Sequence, residues 1–356
     1  IGFIIKMNVN NRLSPNDKIL HAIEVIQKSI IKMVVICDKE NKLLGSLTDG
    51  DIRRCLLKGG SLETFTCEAM NKEPIFAYEN TSFPELFAIM KRENIFAIPL
   101  LNKNNHYSHL IDIKEVASKE NITLDNHIFE FAVIMAGGLG SRLRPLTNEI
   151  PKPMIKVGGI PLLERQIRLL KNFGIKKIYL SVNYLSDIIQ EYFGDGSNLD
   201  IEINYLKEKQ KTGTAGSLSL LNDIPNIPFL VLNGDILTNF DLRGLYEFHL
   251  NSNSDITIAS VDYKISVPYG TLNVDGLNLI EIVEKPKLRF LCNAGIYVLE
   301  KKCLDRIPKD IEFNMTDLIN SYIDAKEKIS VFPLFEYWMD IGNMDDLNKA
   351  KEFFKN

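Results

Sequence analysis

Cysteine is scarce and scattered in this 356-residue chain: Cys37, Cys55, Cys67, Cys292 and Cys303 are odd in number, and no two form a C-x-x-C pair. That pattern argues against a disulfide framework and a structural zinc site, and it fits a reducing cytoplasm. Each cysteine reads as a small buried hydrophobe. Histidine is as sparse. His21, His106, His109, His127 and His249 show no H-x-x-x-H spacing, so they are assigned to surface or core rather than to catalysis or metal binding. No apolar run approaches the ~20 residues that would span a bilayer. The apolar stretch Ile1–Ile5 is too short for the core of a signal peptide, so no membrane partner is expected. Long basic runs are missing too. Lys plus Arg number 42 against 46 Asp plus Glu, a net charge of −4, so no nucleic-acid partner is expected, because phosphate-backbone affinity needs a basic surface. A local basic pocket for a single nucleotide remains compatible with that balance.

What the chain does contain suggests two domains, since its length exceeds one ordinary core. The N-terminal part holds two rough copies of one unit. In the first, a helix-like stretch Lys18–Ser29 precedes an apolar run Met33–Cys37, a turn at residues 38–41, and Gly45-Ser46-Leu47-Thr48-Asp49-Gly50-Asp51-Ile52 leading into a helix. In the second, Phe83–Arg92, Phe96–Leu101, a polar turn at Asn102–Asn105 and His109–Val116 repeat the order helix, strand, turn, strand, helix. This pair resembles tandem CBS domains. The signature Gly-x-Leu-Thr-x-x-Asp-Ile stands at Gly45, Leu47, Thr48, Asp51 and Ile52, whereas the second copy has Asp112 and Glu115 at the corresponding Thr and Asp. The resemblance implies an α+β CBS pair over residues 1–120 that dimerises, giving a homo-oligomer, and an adenine nucleotide held through its ribose by Thr48 and Asp51. The plainer reading of the residues is that Asp51 caps the following helix. Ser118–Glu130 is polar and aperiodic and reads as a linker.

From Phe131 strand-like and helix-like segments alternate. Strands are expected at Phe131–Met135, Lys177–Val182, Ile201–Leu206, Phe229–Leu232, Ile256–Val261 and Gly295–Leu299. Leu162, Leu163, Gln166, Ile167, Leu169, Leu170 and Phe173 form a stripe at helical spacing after Pro161, and Ile188, Ile189, Tyr192 and Phe193 form another, stopped by Gly194. Such alternation predicts an α/β fold with a mixed, mostly parallel sheet covered on both faces. Ligands in such sheets bind beyond the carboxyl ends of the strands.

The strongest motif is Ala136-Gly137-Gly138-Leu139-Gly140-Ser141-Arg142, directly after a buried strand and followed by Pro151-Lys152-Pro153-Met154. Glycines bring bare N–H groups close to phosphate oxygens. Arg142 offers a planar fork of donors, and Lys152 a point charge on a proline-stiffened loop. The string is not a Rossmann dinucleotide fingerprint, because a proline-bearing loop replaces the helix, nor a Walker A loop, because no Gly-Lys-Ser/Thr is present. Asp235 and Asp340 each follow an apolar segment and lie in a glycine-containing turn, near Gly234 and Gly342. That places both at strand ends, where hard oxygen ligands suit Mg²⁺ together with substrate phosphates.

In full, residues 128–356 resemble the sugar-1-phosphate nucleotidyltransferases, a Rossmann-like domain. Lys211-Thr212-Gly213-Thr214-Ala215-Gly216 is similar to the family's L-G-T-A-G turn, with Thr212 in place of Leu; Leu232-Asn233-Gly234-Asp235, Val283-Glu284-Lys285-Pro286, Asn293-Ala294-Gly295 and Trp338-Met339-Asp340-Ile341-Gly342 follow in the family's order. The resemblance implies a nucleoside triphosphate and a sugar 1-phosphate as substrates and Mg²⁺ as cofactor. It implies Arg142 and Lys152 as catalytic residues and Asp235 and Asp340 as metal ligands. It also implies nucleotide binding by Ala136, Gly137, Gly138, Gly140, Ser141, Asn183, Gly213, Thr214 and Asp235, and sugar-phosphate binding by Gly270, Glu284, Lys285 and Asn293. A CBS pair ahead of this domain resembles the guanylyltransferases that act on glucosamine 1-phosphate in legionaminic acid biosynthesis. That implies GTP, α-D-glucosamine 1-phosphate and GDP-glucosamine. Mannose-1-phosphate guanylyltransferases and glucose-1-phosphate thymidylyl- or uridylyltransferases share the visible motifs. A non-catalytic nucleotide-sugar sensor is the reading from a different class; loss of Arg142, Lys152 or either aspartate would favour it, and all four are present.

Overall fold

The computed structural model describes residues 11–29, 31–93, 95–120, 129–208 and 210–353. The stretch Ile1–Ile5, His127 and most of the expected linker lie outside them. The chain divides into two compact units, residues 1–125 and 126–356.

The first unit has the expected internal repeat. Helix α1 (Ile19–Lys28), strands β1 (Met33–Cys37) and β2 (Leu43–Thr48) and helix α2 (Asp49–Leu57) are matched by α3 (Phe83–Arg92), β3 (Ala97–Leu101), β4 (Tyr107–Asp112) and α4 (Ile113–Lys119). The strand pairs are antiparallel hairpins. Asn41 and Asn105 occupy the corresponding turn positions, both with positive φ, a conformation that asparagine tolerates better than most residues. The copies are joined there: Tyr107 N–H donates to Asn41 O at 2.8 Å, and the Asn41 amide donates to Tyr107 O at 2.6 Å. Val35, Cys37, Leu101, Tyr107 and Leu110 bury a shared apolar cluster.

In the second unit, β5 (Phe131–Met135), α5 (Leu162–Asn172), β6 (Lys177–Val182), α6 (Ser186–Phe193), β7 (Glu202–Lys207), β8 (Phe229–Asn233), β9 (Ile236–Thr238), α7 (Leu242–Ser252), β10 (Ile256–Ser266), β11 (Thr271–Asp275), β12 (Asn278–Val283), β13 (Lys287–Leu299), α8 (Met315–Asp324), β14 (Ile329–Leu334), β15 (Trp338–Asp340) and α9 (Met344–Phe353) follow in order. Seven strands form one sheet in the order β7-β6-β5-β8-β13-β10-β14. All its pairings are parallel except the two made by β13, so the expected mixed, mostly parallel sheet is present. Its faces are buried by two apolar clusters, one containing Ile134, Ile167 and Leu232 and the other Val133, Leu218 and Val231.

Two strands run well past their expected bounds. Strand β10 continues from Val261 to Ser266, and β13 begins at Lys287 rather than Gly295, pairing as a two-stranded ribbon from Asp262↔Leu291 to Ser266↔Lys287. On one face Tyr263, Ile265, Leu288 and Phe290 are exposed; the other carries the Asp262–Arg289 ion pair. The separate hairpin β11–β12 follows β10.

Candidate active site

The carboxyl ends of β5 and β8 meet through the backbone. Gly234 N–H donates to Met135 O at 2.8 Å, joining the Asp235 turn to the residue just before the glycine-rich loop. Ala136, buried, donates its N–H to Ser181 O of β6 at 2.9 Å. Gly137 sits where a Cβ would come within 2.9 Å of Glu208 Oε1 and 3.2 Å of Asn183 Cβ, so glycine is required there for close approach. Gly138 has open space around its Cα, and Ser141 is exposed. At Gly140 φ is +60°, and a Cβ would press within 3.0 Å of both Lys152 Cβ and Thr147 Cγ2. The glycine therefore sets the left-handed turn and also lets the loop pack on the stem of Lys152. Thr147 Oγ1 donates to Gly140 O at 2.8 Å and fastens the loop.

Lys152 is the hub. Its Nζ donates to Asp235 Oδ2 at 2.5 Å and stands 3.9 Å from Asp340 Oδ1. The two aspartates come together because β9 pairs antiparallel with β15, with Ile236 opposite Asp340, and Ile341 N–H donates to Asp235 O at 3.1 Å. Desolvation first, and then the neighbouring Asp235 carboxylate, push the Asp340 carboxyl up from its ordinary value; Lys152 and Arg142 pull it down. Arg142 is exposed, and among the described residues its guanidinium makes no hydrogen bond or ion pair.

Among the described residues no group of three or more His, Cys, Asp or Glu side chains is arranged to hold a metal. The Asp235–Asp340 pair nonetheless suits Mg²⁺: two neighbouring carboxylates with hard oxygen donors match an ion that takes one or two carboxylates and completes its shell with water and substrate phosphates.

The other expected residues fall into two groups. Asn183 lies beside Gly137. Gly213 and Thr214 are held by the segment ahead of α8: Thr214 N–H donates to Asn314 Oδ1 at 3.3 Å and Met315 N–H to Thr214 Oγ1 at 2.9 Å. Asn293 Oδ1 accepts from Gly295 N–H at 2.9 Å. The following Ala294 carbonyl accepts from Trp338 Nε1 at 2.9 Å, which ties this segment to the strand ending at Asp340. Gly270 and Glu284 face one another across the base of the β11–β12 hairpin, where a Cβ at 270 would come within 2.9 Å of Glu284 Oε2. Among the described residues Glu284 and Lys285 make no hydrogen bond or ion pair, so no such contact brings them to Lys152 or the aspartates. In the first unit Thr48 and Asp51 form a capping box on α2. Thr48 N–H donates to Asp51 Oδ2 at 2.8 Å, Asp51 N–H to Thr48 Oγ1 at 3.3 Å, and Arg54 pairs with Asp51 Oδ1. At α4 Asp112 repeats the cap, accepting from Glu115 N–H at 2.7 Å.

Sequence reasoning missed Glu208. Its carboxylate accepts from Ser181 Oγ at 2.7 Å, Thr212 N–H at 3.0 Å and Thr212 Oγ1 at 2.7 Å. It thereby clasps the end of β6 to the Gly213 turn beneath Gly137. The hydroxyl of Thr212, where the resemblance expects leucine, supplies one of these bonds.

The chain belongs to the nucleotidyl transferase family, whose model matches residues 131–356, and CBS domain models match residues 9–58 and 67–121. It is similar to the mannose-1-phosphate guanylyltransferase of Mycobacterium tuberculosis, 32% identical over 222 residues, 60% of this chain and 62% of that protein. It is also similar to the probable mannose-1-phosphate guanylyltransferase 3 of Oryza sativa subsp. japonica, 36% identical over 228 residues with the same shares. The chain thus spans about three fifths of the length of these curated relatives. Among solved structures it is similar to HddC from Yersinia pseudotuberculosis, with TM-score 0.52 and 31% identity over 64% of this chain and all of that one. A complex of HddC with GMP-PN matches with TM-score 0.50. Among the described residues no helix is long and apolar enough to cross a membrane, and all five cysteines are free.

Proposed function

We propose that residues 128–356 transfer a nucleotidyl group from a nucleoside triphosphate to a sugar 1-phosphate, releasing pyrophosphate, and that residues 1–120 are a CBS pair that regulates or dimerises this cytoplasmic enzyme. One observation carries the reading. Lys152, packed on the glycine-rich turn, stands between Asp235 and Asp340, so phosphate-binding backbone, cation and paired carboxylates converge.

Little covalent help is needed from the protein in phosphoryl-type transfer; positioning and charge neutralisation supply most of the rate. The nucleophile is a phosphate monoester whose second pKa is about 6, so it is largely dianionic at neutral pH and requires no general base. Its oxygen attacks the α-phosphorus in line, and the bond to the β-phosphate oxygen breaks. Backbone N–H groups of Gly137, Gly138, Gly140 and Ser141 receive phosphate oxygens. Arg142, exposed and unpaired among the described residues, holds charge on the α-phosphate and the leaving pyrophosphate. Lys152 leaves Asp235 to neutralise the α-phosphate or the incoming sugar phosphate. Asp235 and Asp340 hold Mg²⁺, which when bound neutralises phosphate charge. Ala136, Asn183, Gly213 and Thr214 take the nucleoside, and Gly270, Glu284, Lys285 and Asn293 take the sugar phosphate.

Guanine is the favoured base, supported by the relatives named as guanylyltransferases and by the HddC complex with GMP-PN. For the sugar, the relatives' names support mannose 1-phosphate over the glucosamine 1-phosphate expected from the CBS fusion and its link to legionaminic acid. Each of GTP, UTP and dTTP incubated with mannose, glucosamine and glucose 1-phosphates, with pyrophosphate as readout, decides both; no release from any pair overturns the enzyme reading in favour of a sensor. For the CBS pair the proposed ligand is an adenine nucleotide whose ribose replaces Arg54 at Asp51. A melting temperature unaffected by AMP and ATP overturns it.

A further inference from the structure

Gln166 is 3% exposed in the middle of α5, among the buried apolar side chains Leu162, Leu163, Ile167 and Leu170. Its Nε2 donates to Asn233 O at 2.8 Å and to Ile236 O at 2.8 Å. Those two carbonyls bracket Asp235. Because both partners are acceptors, the amide nitrogen must face them. Its Oε1 is buried with no hydrogen-bond partner among the described residues, so the polar function of this side chain is spent on the turn. A buried amide is costly where an apolar residue would pack.

Resting on the reaction proposed above, we infer that Gln166 is a positioning residue for Asp235. The backbone of the turn Asn233-Gly234-Asp235-Ile236 is also held by Gly234 N–H to Met135 O and by Ile341 N–H to Asp235 O. Those bonds tie it to the glycine-rich loop and to the Asp340 strand. The Gln166 bonds add a third tie, to the helix that starts just after the Lys152 turn, where Leu162 N–H donates to Ile155 O at 3.1 Å. Helix α5 therefore sets the distance between the Lys152 loop and the Asp235 carboxylate. Removing both donors leaves two unpaired carbonyls flanking Asp235 and frees the turn to shift, and a displacement of about 1 Å can cost as much as 10²-fold in rate.

Gln166→Met keeps the length and loses both donors. Gln166→Glu keeps the shape but turns a carboxylate toward two carbonyl oxygens. The expected results are a fall in kcat of roughly tenfold or more and a clear rise in the Mg²⁺ concentration for half-maximal rate in both variants, with the KM for sugar phosphate little changed. A second expectation is specific to Gln166→Glu: its activity relative to the unsubstituted protein recovers as pH falls, because a protonated carboxyl can donate one of the two bonds. A residue that merely stabilises the helix would lower the melting temperature and leave Mg²⁺ dependence unaltered. Folded variants with unaltered Mg²⁺ dependence and no pH recovery overturn the inference. If the unsubstituted protein itself releases no pyrophosphate, the reaction reading fails separately, and Mg²⁺–GTP affinity measured by calorimetry on the same variants still decides the role of Gln166.

Discussion

Lys152 is ion-paired to Asp235, 83 residues away in sequence, by a side chain whose own stem is packed against Gly140. In the proposed reaction the cation that would neutralise substrate phosphate thus rests on the carboxylate that would bind metal, and each would release the other as substrate arrives. Lys152→Met should therefore separate two quantities. Turnover should fall by about 10²–10³, whereas Mg²⁺ affinity without nucleotide should rise, because Asp235 and Asp340 lose their resident positive charge. Calorimetric titration with Mg²⁺ beside a pyrophosphate-release assay checks both; equal or weaker Mg²⁺ binding contradicts the arrangement.

Glu208 accepts three hydrogen bonds that clasp the Gly213 turn to the end of β6. Glu208→Gln removes the charge and points an amide donor at donors. The KM for the nucleoside triphosphate should rise roughly tenfold, the cost of one charge-assisted bond, with a smaller change in the KM for sugar phosphate. Steady-state kinetics with each substrate varied in turn would show it, and equal effects on the two substrates would count against this role.

In the first unit the capping box of Thr48 and Asp51 stabilises α2. Thr48→Ala should cost about 1 kcal/mol of unfolding free energy and leave pyrophosphate-release kinetics without added adenine nucleotide unchanged. Urea denaturation followed by circular dichroism checks the first part; an undiminished midpoint contradicts it.

His249 is buried on α7, its Nδ1 2.8 Å from Thr257 Oγ1 and its Nε2 3.3 Å from Glu300 Oε1. Desolvation lowers its pKa from 6.5, with Glu300 and Asp255 opposing. In the unfolded chain this imidazole takes its proton near 6.5, while in the folded chain it does so only at lower pH. Within that window the unfolded state binds more protons, so this group makes stability fall as pH falls. Between about pH 7 and pH 5, His249→Gln should lose less stability than the unsubstituted protein, followed by the fluorescence of Trp338. An identical pH slope in the two proteins contradicts the assignment.

Much of the fold could be read from the sequence because local signals agreed with tertiary demand. Met33–Cys37 and Phe131–Met135 are continuous apolar runs that become buried strands with those bounds, and the stripe after Pro161 becomes α5. The ribbon of β10 and β13 was missed although Tyr263, Ile265, Leu288 and Phe290 stand at strand spacing; all four are exposed in a two-stranded ribbon and build no core. Within the site, the glycine-rich string and the two aspartates stand out by residue type and spacing. Glu208 and Gln166 do not: a glutamate near a turn and a glutamine in an apolar stripe acquire meaning only from partners such as Ser181 and Asn233, far off in sequence. In the proposed reaction the choice of sugar would fall to contacts around Glu284 and Asn293, which no spacing rule specifies.

The measurement that bears most directly on the account is pyrophosphate release from GTP and a sugar 1-phosphate by folded Asp235→Ala beside the unsubstituted protein. A loss of at least about 10²-fold is predicted, since the variant strips the Lys152 site of the carboxylate that completes it. Turnover close to that of the unsubstituted protein would mean that the chemistry takes place elsewhere.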